Sequence, residues 1–148
     1  MATYYNDHIH DPAFGRSMGA AVSALVAAGK RVIVFGPAPL EGGPNLPLAL
    51  ARHGRFRAPE AAYRAQQQGA LALLAALKAN GATVILPADY LCNQGSCAVD
   101  INGKPLLFDD DHLSLTGARY VVARASSLIW PDRAAPILPL LPRRPIDR

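Results

Sequence analysis

Two short β-branched runs limit what this chain can fold into. Arg31-Val32-Ile33-Val34-Phe35-Gly36 is followed by Pro37-Ala38-Pro39, and Ala82-Thr83-Val84-Ile85-Leu86 by Pro87-Ala88-Asp89. Apolar runs of this length, bounded by turn residues, read as buried strands. A helical segment lies between them. Pro59-Glu60 open it, proline being preorganised for a first turn, and it runs to about Asn80, where Asn80-Gly81 end it. Leu71, Leu74 and Leu77 fall on its inner face. Strand, long connection, strand implies a parallel pair, because parallel neighbours need a crossover rather than a hairpin. Upstream, Phe14, Met18, Val22, Leu25 and Val26 recur at helical spacing, and Gly29 sits where that helix should stop. Residues 40–57 read as a Pro/Gly/Arg-containing loop. Val99-Asp100-Ile101 and Pro105-Leu106-Leu107-Phe108 flank Asn102-Gly103, a strong hairpin signal. A last helix is expected from about Ser114 to Leu128. The class is therefore α/β. Its parallel strands number only two, where an open sheet usually has roughly five, so the chain reads as the second half of such a domain.

The composition removes several function classes. A chain of 148 residues, 51% hydrophobic and 18% charged, suits one folded domain. No run is long and apolar enough to span a bilayer. Met1-Ala2-Thr3-Tyr4-Tyr5-Asn6-Asp7 lacks the basic and apolar regions of a signal peptide. The net charge is a modest +4, and no basic stripe is interleaved with aromatics, which argues against a nucleic-acid partner. From Pro131 onward the chain has five prolines and Arg133, Arg143, Arg144 and Arg148. Proline at that density breaks helix and strand alike, so residues 131–148 are expected to be a loosely ordered tail behind a domain of residues 1–130.

The chemistry concentrates in Phe108-Asp109-Asp110-Asp111-His112-Leu113-Ser114. Asp109 and His112 form a D-x-x-H pair on a loop entering a helix. A carboxylate this close to an imidazole can hold one ring nitrogen, fix the tautomer and make the other a general base. Acidic residues ahead of a helix also serve simply as caps and dipole partners. Position favours the first reading, because ligands of open α/β sheets bind at the carboxyl ends of the strands, where a helix N-terminus also lies. Cys92 and Cys97 enclose Asn93-Gln94-Gly95-Ser96, a turn-forming segment. A disulfide leads here, with α-carbons roughly 4.4–6.8 Å apart. Two free thiols, or a zinc pair with His112 as third ligand, are the alternatives. His8 and His10 with Asp7 and Asp11 could suggest a metal, but read better as a solvated loop. His53 with Arg52, Arg55 and Arg57 could steer an anion, but fits a solvated basic loop better. Tyr4 and Tyr5 could line a cleft or simply pack.

Taken together, Lys30 to Pro39, Asp89-Tyr90-Leu91-Cys92 to Cys97, and Pro105 to Ser114 resemble the SGNH (GDSL-like) hydrolase domain. The variety most similar is the one fused behind membrane-embedded acyltransferase-three proteins of bacteria. The resemblance covers about residues 2–130. It implies a flavodoxin-like three-layer α/β/α fold and acyl-ester chemistry, as an O-acyltransferase or esterase acting on cell-surface polysaccharide. It implies an acyl donor, a carbohydrate acceptor, an N-terminal membrane acyltransferase part and a periplasmic setting, with no cofactor and no metal. It makes His112 the general base, Asp109 its orienting carboxylate, and Cys92–Cys97 a structural disulfide. Ser114 then reads as a helix cap rather than a nucleophile. One departure stands out: the family's nucleophilic serine sits in a Gly-Asp-Ser block, and these 148 residues contain none. Met1 to Tyr5 resembles the segment after the family's third strand, with Asn6 the only nearby candidate for its asparagine block. The expectation is a domain truncated at its N-terminus and inactive alone. The alternative is a non-enzymatic α/β remnant or binding module.

Overall fold

A computed structural model describes residues 11–39, 45–54, 56–109 and 112–132. The readings made on residues 1–10, on Arg55, on Asp110 and Asp111 and on the tail beyond Asp132 fall outside the described residues. The first described helix, α1 (Pro12–Ala27), starts where Asp11 accepts the Ala13 N–H at 2.8 Å and Pro12 fills the first turn. Gly29 and Lys30 N–H groups return to the Val26 and Leu25 carbonyls, both at 2.9 Å, and so close the helix end. Val22 is buried, with Met18 and Val26 packed beside it, whereas Leu25 is exposed.

Strands β1 (Ile33–Phe35) and β3 (Thr83–Ile85) pair in parallel, in the register Ile33↔Thr83, Val34↔Val84, Phe35↔Ile85. Between them run α2 (Leu46–His53), β2 (Arg57–Pro59), α3 (Glu60–Gln66) and α4 (Gln68–Ala79). Alternate strand residues face opposite ways, and they join two separate clusters. Val34, Val84 and Leu86 pack with Val22 of α1 and with Ala70, Leu74 and Leu77 of α4. Ile33 and Ile85 join Leu46, Leu91, Val99, Leu106, Leu107 and Val121. The first run is expected to be a buried strand, but Ile33 and Val34 are half-buried and Phe35 is exposed.

Two readings of this middle region are corrected. Residues 40–57 are not all loop, because α2 occupies part of them. Asn45 caps it by accepting the Leu48 N–H at 3.0 Å, and Pro47 sits in the first turn. The helix opened by Pro59-Glu60 is also not a single one. It kinks at Gln67, whose φ of −97° and ψ of 15° leave helical values, although its N–H still bonds the Tyr63 carbonyl at 2.9 Å. The face it buries is Tyr63, Gln67, Ala70, Leu74 and Leu77. Leu71 is only half-buried.

After β3 come a short helix, α5 (Ala88–Leu91), and the hairpin β4 (Cys92–Asn93) and β5 (Ser96–Ala98), with β2 pairing antiparallel to β5. A second hairpin, β6 (Asp100–Ile101) and β7 (Lys104–Pro105), turns at Asn102-Gly103 as expected. Both turn residues have positive φ, 53° and 76°, the backbone that a two-residue hairpin turn requires. The last helical region divides at Ala125 into α6 (Leu115–Arg124) and α7 (Ser126–Ile129).

Candidate active site

The D-x-x-H pair lies on a closed loop between β7 and α6. The loop is pinned by a bridge between Leu107 and Leu113 and by the Phe108 N–H, which donates to the His112 carbonyl at 2.8 Å. Asp109 holds His112 twice. Its Oδ1 accepts the His112 backbone N–H at 2.7 Å, and its Oδ2 lies 3.0 Å from the imidazole Nδ1. A carboxylate beside Nδ1 favours the tautomer that carries its proton there, which makes Nε2 the basic nitrogen of the neutral ring. The imidazole side chain is 51% exposed and the Asp109 side chain 30%. Solvent therefore reaches the pair, while the backbone contacts hold it in one geometry. The Leu46 N–H, at the start of α2, approaches the Asp109 carbonyl at 3.4 Å. The helix missed in the sequence thus abuts the site.

Ser114 caps α6. Its Oγ accepts the Gly117 N–H at 3.1 Å and donates to the Pro105 carbonyl at 2.6 Å. A comparison with known protein families matches residues 2–126 to the SGNH domain (fused to AT3 domains). The chain belongs to this family. It matches no curated protein and no solved structure. Within this SGNH domain, Asp109 and His112 are in contact as their spacing suggested. The domain's two cysteines, Cys92 and Cys97, are joined as a disulfide, so neither offers a thiolate to a metal with His112. Their α-carbons are 3.8 Å apart, closer than expected, and the two residues stand directly opposite each other across the β4–β5 hairpin. Among the described residues, no cluster of metal-ligating side chains occurs, and no helix is long and apolar enough to cross a membrane.

The other polar residues singled out in the sequence, where described, have their own roles or face solvent. Asp11 is spent as the cap of α1. His53 and Arg52 lie in the exposed last turn of α2. Arg57 is committed to Ser96, through Nε to Oγ at 2.6 Å and through Nη2 to the carbonyl at 3.0 Å. One site feature escaped sequence reasoning: the close approach of α6 to the end of the second hairpin. At Gly117 a β-carbon would stand 2.2 Å from the Leu106 carbonyl oxygen. The available signal was a glycine inside the first turn of an otherwise good helix, a position that usually has a packing reason.

Proposed function

We propose that this SGNH domain performs acyl-ester chemistry, with His112 as general base and Asp109 as the carboxylate that orients it. The observation that carries the reading is the double grip of Asp109 on His112, through the backbone N–H and the ring Nδ1. In this mechanism His112 Nε2 takes the proton of a serine hydroxyl as its oxygen attacks the ester carbonyl. Asp109 stabilises the imidazolium, and the proton passes to the departing alcohol. An acceptor hydroxyl then attacks the acyl-enzyme and gives its own proton to His112, which returns it to the departing serine oxygen. These 148 residues have no Gly-Asp-Ser triplet, so in this mechanism the serine comes from outside them. The parallel pair, with a hydrophobic cluster on each face, fits a flavodoxin-like three-layer sheet, in a domain of residues 1–130 followed by a tail.

The family's fusion to AT3 domains supports a membrane acyltransferase partner and an extracytoplasmic setting. A disulfide suits such an oxidising compartment, the periplasm. Polysaccharide hydroxyls are the proposed acceptors, with O-acetylation as the reaction. The rival reading, an inactive remnant or an α/β binding module, draws on the missing Gly-Asp-Ser block and the solvent-exposed dyad.

A serine-directed fluorophosphonate probe tests the proposal. The 148-residue chain should remain unlabelled, and a protein extended with a Gly-Asp-Ser-bearing segment should label at that serine and cleave an acetyl ester. In the extended protein, His112→Ala should lower kcat on the order of a millionfold, and Asp109→Asn by about ten-thousandfold. Equal activity in the His112→Ala protein would remove the base assignment. Stoichiometric labelling of the unextended chain at Ser114, or at another of its serines, would mean that the catalytic set is already complete.

A further inference from the structure

The loop that holds Asp109 and His112 is fastened where it meets α6, and the fastening runs through one residue. We infer that Ser114, seated over Gly117, is a positioning residue that sets His112 against Asp109. The functional weight of this inference rests on the acyl-transfer reading; its geometry does not. Ser114 makes bonds in two directions. Toward the hairpin, its N–H donates to the Leu106 carbonyl at 2.9 Å and its Oγ donates to the Pro105 carbonyl at 2.6 Å. Toward the helix, the same Oγ accepts the Gly117 N–H at 3.1 Å. A hydroxyl has one proton to give, and here it points at a carbonyl oxygen, which is not a base that could activate it for attack. The oxygen is therefore arranged as a tie between hairpin and helix.

Gly117 makes the tie possible. With a β-carbon there, 2.2 Å from the Leu106 oxygen, α6 could not sit where Ser114 reaches both Pro105 and Leu106. The ends of the loop are thereby held together, at the Leu107–Leu113 bridge. Only Leu113 lies between the tie and His112. A shift at Ser114 is passed along this short span to the 3.0 Å contact between the ring and Asp109.

Capping and positioning can be separated by experiment. Glycine is a tolerated N-cap, so Ser114→Gly keeps the helix while removing both side-chain bonds. Threonine retains a hydroxyl that can both donate and accept. The full chain, labelled with 15N-histidine, is observed by NMR for the Nδ1–H resonance of His112, with Asp109→Asn defining the spectrum of a released ring. The expected result is loss of that resonance in Ser114→Gly, with helical circular dichroism preserved, and its retention in Ser114→Thr. Gly117→Ala is a second displacement of the same tie and should also release the ring. Retention of the resonance in folded Ser114→Gly or Gly117→Ala would overturn the positioning role and leave the dyad standing. Absence of any Asp109-dependent resonance in the unsubstituted chain would instead remove the dyad, and with it the acyl-transfer reading.

Discussion

At Gly117 two opposing effects can be weighed. Replacing a helical glycine by alanine normally gains about 1 kcal/mol of helix propensity. Here the new methyl would meet the Leu106 carbonyl oxygen at 2.2 Å, a backbone atom that cannot swing aside. Overpacking of this kind typically costs about 1–3 kcal/mol, and contact this close belongs near the upper end. The clash should therefore win. Gly117→Ala is expected to lower the unfolding free energy by a net ~1–2 kcal/mol, seen as a lower urea midpoint at unchanged m-value. A midpoint equal to or above that of the parent would show that α6 can lift off the hairpin without cost. Asp109 shows how much one side chain can do at this scale, because its carboxylate holds both the backbone and the ring of His112.

Among the elements, the α3–α4 kink contains the least comfortable group among the described residues. Gln67 is fully buried, and neither Oε1 nor Nε2 has a hydrogen-bond partner. A buried unsatisfied polar group costs about 1–3 kcal/mol. Gln67→Met keeps the volume and removes the penalty, so it should stabilise the chain by about 2 kcal/mol. Destabilisation in a denaturant titration would mean that the amide is satisfied in solution. The β4–β5 hairpin makes the opposite case. Its disulfide closes a loop with a sequence separation of 5, and a loop so short predicts an entropic contribution of about 2 kcal/mol. Cys92→Ser with Cys97→Ser should lower stability by roughly that amount. Mass spectrometry of the unreduced parent should show two hydrogens fewer than its reduced form. Two alkylatable thiols in the air-oxidised parent would contradict the pairing.

For the whole molecule, the notable property is the apolar surface left in water. Phe35, Leu48, Phe108, Leu115, Leu128 and Trp130 are all exposed, Phe108 by 73% and Leu115 by 67%. The last two flank the dyad in sequence. Large exposed apolar side chains are association hazards where they lie together. The isolated chain should therefore self-associate as its concentration rises, seen in sedimentation velocity as species heavier than the monomer. Phe108→Ser with Leu115→Ser should reduce that association. A monodisperse, cooperatively unfolding monomer at all concentrations would show that this surface is tolerated in water.

What could be read from the chain alone was what depends on neighbours in sequence. The stop of α1 near Gly29, the Asn102-Gly103 turn and the parallel pairing of the two β-branched runs follow from periodicity, turn chemistry and connection length. The Asp109–His112 contact was legible for the same reason, since three residues of loop can bring a carboxylate to a ring nitrogen. Helix α2 had local signals in Asn45 and Pro47, but they lay among prolines and glycines that read as loop. Its stability comes from Leu46, buried with residues such as Leu106 and Leu107 from far along the chain. The kink at Gln67 had no comparable local mark, and Gly117 marked a close approach of α6 without showing that Leu106 was what it met. Both features were decided by packing, because the space available to a side chain is set by atoms from other elements, and those positions exist only once the chain has folded.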